Sequence, residues 1–557
     1  MGDKKISQLT TATSVNSNDV VVIVQNGETK KAPISLLPKG TAVGEYTISF
    51  EEAYRTQVAT NKYGDASNVD NSTKYLKDAL TTAVSSLNSH GGGTLLFEKI
   101  YTYKGSSTPW QIDNVNNITF KGVGQAGFQK PSGNSGRFGF IRHCNNLKFI
   151  NMTFAGGQTS LSKLVNGDYG VEIHGGDTII FEECTFKNMN DACLVVGNET
   201  SSETDGLHHT KNVWVTKCKF LNTWQCSTTQ NGVYNYWFTN NYIKGGAAKF
   251  AQRLPNGDNL HILDNVFVAT DNFTGNLIEM CNYNNVWIEN NTMIGVSGVT
   301  DAGLSIYYNT HANTNYYSTH KNITIKGNKI YDCKNAMWLG HAVSKYPGGR
   351  LYIENNTVMG TIPNRAMTLS GYWNTIYAKN NYFKGVSGSG IVIGQSGGSA
   401  HVIERLFIED NTFVECTGSE ITCTQVVNHL KLVNNYVKKT SANNIISLGD
   451  GTNAITIGLF ELRDNRLSNT SADKNIVKNN NATLTVATIK NNIITCASIS
   501  INNLSSSKVF LSGNYFDNIN SSTCVVFKAN SSGNVYTCNN VNKGTLVTAN
   551  GMTVTAQ

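Results

Sequence analysis

The sequence predicts an all-β fold, a single-stranded, right-handed parallel β-helix of about 15–16 coils. One motif recurs fifteen times along the 557 residues, its internal alternation is that of a strand, and like residues occupy like positions in successive copies. Repeats of this size indicate a stacked architecture in which each unit contacts its neighbours. With strands about 4.8 Å apart, the stack would be roughly 75 Å long.

Each copy of the motif has two inward apolar residues with one outward residue between them. A small polar residue follows three positions after the second inward residue. Phe238, Asn241 and Ile243 form one such copy, in which the last residue is again apolar. Copies are 22 to 37 residues apart, which is too variable for an α-helical repeat. In the first three copies the polar position holds Met152, Cys184 and Cys218; in the last twelve it holds Asn241, Asn265, Asn291, Asn328, Asn356, Asn381, Asn411, Asn435, Asn465, Asn492, Asn514 and Asn540.

The alternation within a copy is that of a strand, as in Val286-Trp287-Ile288. Parallel crossovers are right-handed in nearly all proteins, so the coil should be right-handed. Asn suits a sharp turn because it tolerates the left-handed conformation, and stacked amides can hydrogen-bond between coils. An unpaired buried amide would cost roughly 1–3 kcal/mol. We therefore interpret the Asn column as structural, with Cys184 and Cys218 as small buried residues that continue it.

Composition excludes several classes of protein. Only 15% of residues are charged, the net charge is +7, and no basic run occurs, so nucleic-acid binding is not predicted. No apolar run reaches 18 residues and the N-terminus has no signal-peptide pattern, so we expect no membrane insertion. The twelve cysteines include no paired Cys-x-x-Cys spacing. We expect them to be mostly reduced and buried, in a protein that folds in a cytoplasm without metal or cofactor.

Residues 1–40 differ from the repeats and form a small module with a hairpin turn expected at Asn26-Gly27. This pattern resembles the short N-terminal segment of bacteriophage tail fibre and tailspike proteins. The resemblance implies attachment to other tail or baseplate proteins, and a place in the virion after assembly in the bacterial cytoplasm. Residues 41–57 are predicted to be a linker.

Residues 58–110 should close the first coil. An amphipathic helix, capped by Asn71, Ser72 or Thr73, precedes the tight stop at Gly91-Gly92-Gly93. Its apolar face would cover the exposed end of the stack and holds Tyr75, Leu76, Ala79, Leu80, Ala83, Val84 and Leu87. The block resembles the start of pectate-lyase-like β-helices in phage tailspikes and pectinase-type enzymes. The β-helix is predicted over 111–542, with a tail at 543–557; homotrimerisation is expected from the tailspike resemblance.

The outward position between the two leading inward residues is aromatic or large and apolar in nine of fifteen copies. Such a face should be covered. Subunit contacts or overlying loops would cover it; alternatively, it is a groove in which sugar rings stack. The predicted substrate-binding residues are Trp214, Trp237 and Trp287 in this column, and Tyr307, Tyr308, His311, Tyr316 and Tyr317 in the longest loop.

Two chemistries of polysaccharide cleavage are open. Glycoside hydrolysis needs two carboxylates about 5 to 9.5 Å apart, and Asp191, Glu183 and Asp205 are candidates. Asn190-Asp191 also resembles a pectinase Asp-Asp-Cys segment, although a turn role for Asp191 is the alternative. Lyase chemistry needs a base and a cation near a uronic carboxylate. Arg253 resembles part of the pectate-lyase Arg-x-Pro-x-x-Arg motif, but its second Arg is absent.

Three functions are therefore open. The first is a phage tailspike, a receptor-binding protein that binds and depolymerises a host cell-surface polysaccharide as a glycosidase or lyase. The second is a non-catalytic structural or adhesin tail protein, because the fold alone does not supply activity. The third is a free secreted pectinase-type enzyme.

Overall fold

The computed structural model describes residues 46–517, apart from 106–108, 159–166, 198–208, 231, 252–256, 308–320, 342–347, 395–400, 450–453, 472–474, 481, 496–497 and 502–504. Outside that range it describes only the strands at 20–25 and 28–33, and 523–527, 532–538, 540–542, 545–547 and 552–556 at the other end. β1 (Val20–Gln25) and β2 (Glu28–Pro33) pair antiparallel, with Gln25 opposite Glu28. The two strands pair as the predicted hairpin requires, and its expected turn at Asn26-Gly27 lies outside the described residues.

The remaining strands pair in parallel and form three sheets that run along one stack. Sheet A carries the leading in–out–in motif. It contains β3 (Thr47–Ser49), β4 (Gly93–Phe97), β7 (Asn116–Gln129), β8 (Gly139–Ala155), β9 (Val171–Glu182), β11 (Thr210–Thr216), β13 (Val233–Thr239), β16 (Asp258–Leu263), β19 (Asn285–Glu289), β22 (Asn322–Lys326), β25 (Gly348–Glu354), β28 (Trp373–Lys379), β31 (Val402–Glu409), β34 (Val426–Val433), β37 (Ile455–Arg463), β40 (Ala482–Lys490), β43 (Ser505–Ser512), β46 (Ser532–Cys538) and β49 (Met552–Ala556).

Sheet B follows the Asn column in each coil. It contains β5 (Ile100–Thr102), β10 (Thr185–Val196), β12 (Lys219–Thr229), β14 (Tyr242–Lys244), β17 (Val266–Val268), β20 (Thr292–Ile294), β23 (Lys329–Tyr331), β26 (Thr357–Met359), β29 (Tyr382–Lys384), β32 (Thr412–Val414), β35 (Tyr436–Lys439), β38 (Arg466–Asn469), β41 (Ile493–Thr495), β44 (Tyr515–Asp517) and β47 (Val541–Asn542).

Sheet C completes the coil. It contains β6 (Trp110–Asp113), β15 (Ala247–Ala251), β18 (Ile278–Cys281), β21 (Ala302–Ile306), β24 (Asn335–His341), β27 (Arg365–Gly371), β30 (Ser389–Ile393), β33 (Ile421–Cys423), β36 (Ile446–Leu448), β39 (Asn475–Asn479), β42 (Ser498–Ile501), β45 (Thr523–Phe527) and β48 (Thr545–Val547). The long strands β7, β8, β9, β10 and β12 each bend through more than one sheet.

Each coil stacks in register on the next. In sheet A, for example, Val286 pairs with Ile323 and Ile323 with Leu351, and all three side chains are buried. Inward side chains from successive coils therefore form continuous apolar columns, which exclude water along the axis. The predicted fold class, an all-β single-stranded parallel β-helix, is confirmed.

Two helices cover the first coil. α1 (Phe50–Ala59) and α2 (Val69–Ser89) precede β4, and all seven predicted apolar residues of the second helix are buried. The predicted cap was wrong. The helix begins earlier, and the Asn68 side chain accepts hydrogen bonds from the backbone N–H groups of Asp70 and Asn71, at 2.9 and 3.3 Å.

Two predicted boundaries also need correction. The described part of the expected linker, from residue 46, is not a free connection: β3 pairs with β4, and α1 begins at Phe50, whose ring stacks on Phe97 at 4.5 Å. The predicted C-terminal tail continues the strand pairing, because β48 pairs with β45 and β49 with β46. The stack therefore starts earlier and ends later than the motif count indicated.

The Asn column is a buried hydrogen-bonded ladder. The Asn356 amide nitrogen donates to Ile325 O and to Asn381 Oδ1, at 2.9 and 3.0 Å, and its own Oδ1 accepts from the backbone and side-chain nitrogens of Asn328 at 2.9 and 3.0 Å. The same pattern recurs from Asn241 to Asn514. The structural interpretation of these residues is confirmed, since each rung supplies the acceptor for the rung before it.

The reason given for Asn at this position needs correction. The left-handed backbone belongs to the preceding residue, for example Asn240 (φ 56°), Asp264 (φ 57°) and Asn355 (φ 56°). The ladder residue itself is selected for its amide. Where Cys184 and Cys218 replace it, each thiol donates to the same type of acceptor, Phe149 O at 3.2 Å and Phe181 O at 3.5 Å. Ten cysteines in the described part of the chain are free thiols, and nine of them are buried.

Candidate functional site

The outward column of sheet A is a stack of aromatic rings. Trp214 and Trp237 lie parallel with centroids 4.7 Å apart, Trp237 and His261 are 5.4 Å apart, and His261 and Trp287 are 4.4 Å apart. Their planes differ by only 3° to 5°. The strand register causes this arrangement, because it places equivalent outward side chains one coil spacing apart.

A second aromatic stack follows in the same column. Tyr352 and Tyr377 have centroids 5.3 Å apart, and Tyr377 and Phe407 are 5.1 Å apart. The Lys431 ammonium lies 5.6 Å from the Phe407 ring centroid and ends this series. Between the two stacks, register places Thr324 directly between Trp287 and Tyr352. Between Trp214 and Phe407 the column is therefore interrupted once, at a short side chain.

This stacking limits how the column can bind sugars. A sugar ring stacks on an open aromatic face, but both faces of Trp237 and of His261 are covered by neighbouring rings. The predicted residues Trp214, Trp237 and Trp287 do lie together on one outer face. Only rings at the end of a stack can offer a full face, and Trp287 is such a ring.

Asp191 lies in a different region, at the corner between sheets B and C. It is in β10, where the register with β12 shifts between Met189 and Ala192. Its side chain is buried, and its Oδ2 accepts from the backbone N–H of Gly167 at 2.8 Å. Burial, with further contributions from the charges of Asp168 and Glu172, raises the pKa of Asp191 to about 6. Such a carboxyl group can hold or release a proton near neutral pH.

Its neighbours Asp168 and Glu172 form ion pairs with basic side chains. The Lys130 ammonium contacts Asp168 Oδ1 at 2.7 Å, and both side chains are fully buried. Glu172, also buried, pairs with Arg137 through Oε1 and lies 3.4 Å from His174 Nε2 through Oε2. Burial lowers the pKa of Lys130, and the nearby Asp168 carboxylate opposes that shift. Asp168 Oδ2 also accepts from the backbone N–H of Asn190 at 2.7 Å, so the Lys130–Asp168 pair is joined to the backbone beside Asp191.

Glu183 does not join Asp191. It lies in the turn between β9 and β10, at the corner between sheets A and B, with φ 57° and its side chain 55% exposed. Lys217 Nζ is 3.7 Å from its Oε1. It occupies the same left-handed position as Asn240 and Asp264 in later coils. Glu183 and Asp191 therefore belong to different corners of the coil.

Tyr307 belongs to a polar network on the outer face of sheet C. Its hydroxyl donates to Glu279 Oε1 at 2.7 Å, and Lys249 Nζ contacts the same oxygen at 3.0 Å. Burial would raise the pKa of Glu279, but Lys249, Tyr307 and Asn276 together lower it. Burial and Glu279 raise the pKa of Tyr307. The sequence analysis identified Tyr307 but missed Glu279, although Lys249 and Glu279 are register partners in adjacent coils.

Six predicted site residues lie outside the described residues, so their predictions stay untested. They are Asp205, Arg253, Tyr308, His311, Tyr316 and Tyr317.

No group of three or more His, Cys, Asp or Glu side chains with metal-binding geometry occurs in the described part of the chain. None of the helices within the described ranges is both long and apolar enough to cross a membrane.

Comparisons with known proteins give structural matches only. No family model matches the sequence, and no curated protein matches it. The chain is similar to the solved tailspike protein of Escherichia coli bacteriophage HK620 in complex with a pentasaccharide, at 14% identity and a TM-score of 0.45, over 97% of this chain and 84% of that chain. A double mutant of that tailspike, also with pentasaccharide, matches over the same shares at 14% identity and a TM-score of 0.45. A deletion variant matches at 14% identity and 0.44.

Proposed function

We propose that this chain is a bacteriophage tail protein of the tailspike type that binds a host cell-surface polysaccharide along the outside of its β-helix. The observation that carries the proposal is the aromatic column of sheet A. Its rings lie in line on a rigid face, at the coil spacing, and remain partly exposed in the single chain. A rigid, ordered row of apolar rings suits a long, repetitive ligand, because little conformational freedom is lost on binding.

Residues 1–40 support the virion part of the proposal through their resemblance to tail attachment segments. On this proposal they bind other tail or baseplate proteins, and the protein is assembled in the host cytoplasm. A homotrimer would bring the outer faces of three β-helices near one another, so subunit contacts and glycan binding could share the aromatic column.

Depolymerisation is a finer proposal, and Asp191 supports it. A carboxyl group with a pKa of about 6 can donate a proton to a glycosidic oxygen near neutral pH. Raised pKa values caused by burial and nearby like charges are typical of catalytic acids. The alternative is a non-catalytic adhesin. In that case the Asp191 carboxylate is purely structural and accepts the hydrogen bond from the Gly167 backbone at the corner between sheets B and C.

The test is incubation of the purified full-length protein with host capsule or lipopolysaccharide, followed by analysis of binding and of chain length. New reducing ends would show that the chain is cut. Without a 4,5-unsaturated product they would indicate a hydrolase, and together with it they would indicate a lyase. Binding without shortening would identify an adhesin and contradict the finer proposal. If no surface polysaccharide of the host binds, the whole proposal is wrong.

A matched pair of variants tests the role of Asp191. Asp191→Asn should abolish cleavage while leaving binding intact, because the amide cannot supply the acidic proton. Glu183→Gln removes an equal charge from an exposed turn and should leave cleavage unchanged. Equal activity in both variants would exclude Asp191 as the acid.

A further inference from the structure

The interruption of the aromatic column leaves two ring faces opposite each other. Trp287, Thr324 and Tyr352 are successive outward residues of sheet A, paired in register. Among the described residues, the ring contacts of Trp287 and Tyr352 are those with His261 and Tyr377, on the far side of each ring. The two faces directed at Thr324 are therefore not covered by another ring of the described chain.

The width of this opening fits one further ring. Two coil spacings separate Trp287 from Tyr352, which is about 9.6 Å at roughly 4.8 Å per strand. A ring placed midway would lie about 4.8 Å from each aromatic, within the range of roughly 4.5–7 Å at which rings stack. Thr324 is partly exposed, so the floor of the opening is accessible from outside.

Polar groups border the opening on the sheet. Asn322 and Lys326 lie two residues on either side of Thr324, point to the same outer face, and are exposed. Register places Glu289 and Glu354 on either side of Lys326. The opening thus combines two apolar walls with donors and acceptors at its floor and ends.

We propose that this opening, the Thr324 slot, binds one pyranose ring of a surface polysaccharide between Trp287 and Tyr352. A pyranose has apolar C–H groups on both faces and hydroxyl groups around its edge, which matches apolar walls and a polar border. An aromatic side chain from a second copy would match the walls but would use none of the polar groups at the border. The inference rests on the proposed polysaccharide-binding function and deepens it.

The decisive variant is Thr324→Phe, which fills the slot with a ring that the column already accommodates in other coils. Thr488→Phe is the matched control, because Thr488 occupies the same outward column between Glu461 and Phe510, away from the slot. Thr324→Ala keeps the slot open and removes the hydroxyl and the γ-methyl group. Circular dichroism and thermal melting of all three full-length proteins would establish that they fold.

The probe is an array of oligosaccharides from bacterial O-antigens and capsules, with titration calorimetry on the strongest binder. We expect Thr324→Phe to weaken binding about 10- to 100-fold, because the stacking contacts with both walls of the slot are lost. Thr488→Phe should bind within about twofold of the wild type, and Thr324→Ala should lose much less than Thr324→Phe.

Failure of the slot and failure of the proposed function give different results. If the wild type binds no saccharide, the proposed function is wrong, and the proposal that the slot binds a pyranose is wrong with it. If the wild type binds but Thr324→Phe binds equally well, only the slot is overturned. A change in oligomeric mass without a change in glycan binding would assign the slot to a second copy. A crystal structure with the strongest binder should show the pyranose between the two rings, and a side chain there would overturn the inference.

Discussion

The molecule contains two columns of like residues stacked at the coil spacing, one inside and one outside, and they follow different rules. The inner amide ladder runs without a gap from Asn241 to Asn514, each rung bonded to the next. The outer column of sheet A changes from Trp to His to Tyr to Phe and is interrupted at Thr324. A gap is tolerated in one column and not in the other.

Access to water explains the difference. A buried amide or carbonyl group without a partner costs roughly 1–3 kcal/mol, so a missing rung inside the β-helix would leave its neighbours unsatisfied. A missing ring on the outside costs only the stacking contacts, because water covers the exposed faces. The same kind of interruption is therefore a defect in the core and a potential binding site on the surface.

The largest effect should come from breaking the inner ladder in its middle. Asn356→Ala removes the acceptor of the Asn328 backbone N–H and the donor to Ile325 O. Two buried groups are left unpaired, so we expect a loss of about 2–6 kcal/mol in the free energy of unfolding. Equilibrium denaturant unfolding measures it, or unfolding rates where refolding is incomplete.

Cys184→Ala is the control for this prediction. Its thiol is a weak donor with one proton, and its acceptors are Phe149 O at 3.2 Å and Glu182 O at 3.5 Å. We expect a loss of only about 1 kcal/mol. Equal losses in the two variants would show that the amide ladder is no more important than simple filling of the column.

An intermediate effect is expected from the buried carboxyl group at the corner. Because the pKa of Asp191 is raised to about 6 in the folded protein, against about 3.9 for an unfolded Asp, the folded state keeps a proton that the unfolded state loses. The free energy of unfolding should therefore fall as the pH rises from about 4 to 6. Burial also raises the pKa of Glu420, to about 7, which gives a fall of the same sign. Asp191→Asn should therefore reduce the fall in melting curves recorded across that range, and the remainder belongs to Glu420. If the slope is unchanged, Asp191 is not the group responsible.

The smallest effect should come from the outer column. Trp237→Ala exposes the facing sides of Trp214 and His261, and loses two stacking contacts worth about 1–3 kcal/mol together. The same denaturant measurement applies. A loss as large as that of Asn356→Ala would contradict the distinction between the two columns.

Sequence periodicity predicted the fold, the inward columns and the buried face of α2, because these features depend on residue spacing alone. It did not locate the left-handed position, since Asn occurs both at the ladder and just before it, as at Asn355 and Asn356. Nor could it show that the rings of the outer column cover one another, which follows from the register. Lys249, Glu279 and Tyr307 come from three successive coils and contact one another. To predict this network from the sequence, one would have to align the sheet C strands of those three coils residue by residue.

The ladder also has a direction. In every rung the backbone and side-chain N–H groups point to the oxygen of the following Asn, as Asn514 does to Asn540. Their dipoles add along the axis, so the two ends of the column are chemically different. The N-terminal end of the ladder is closed inside the stack, because the Cys218 backbone N–H donates to Asn241 Oδ1. A fused subunit or designed lid at the C-terminal end should therefore present acceptor oxygens.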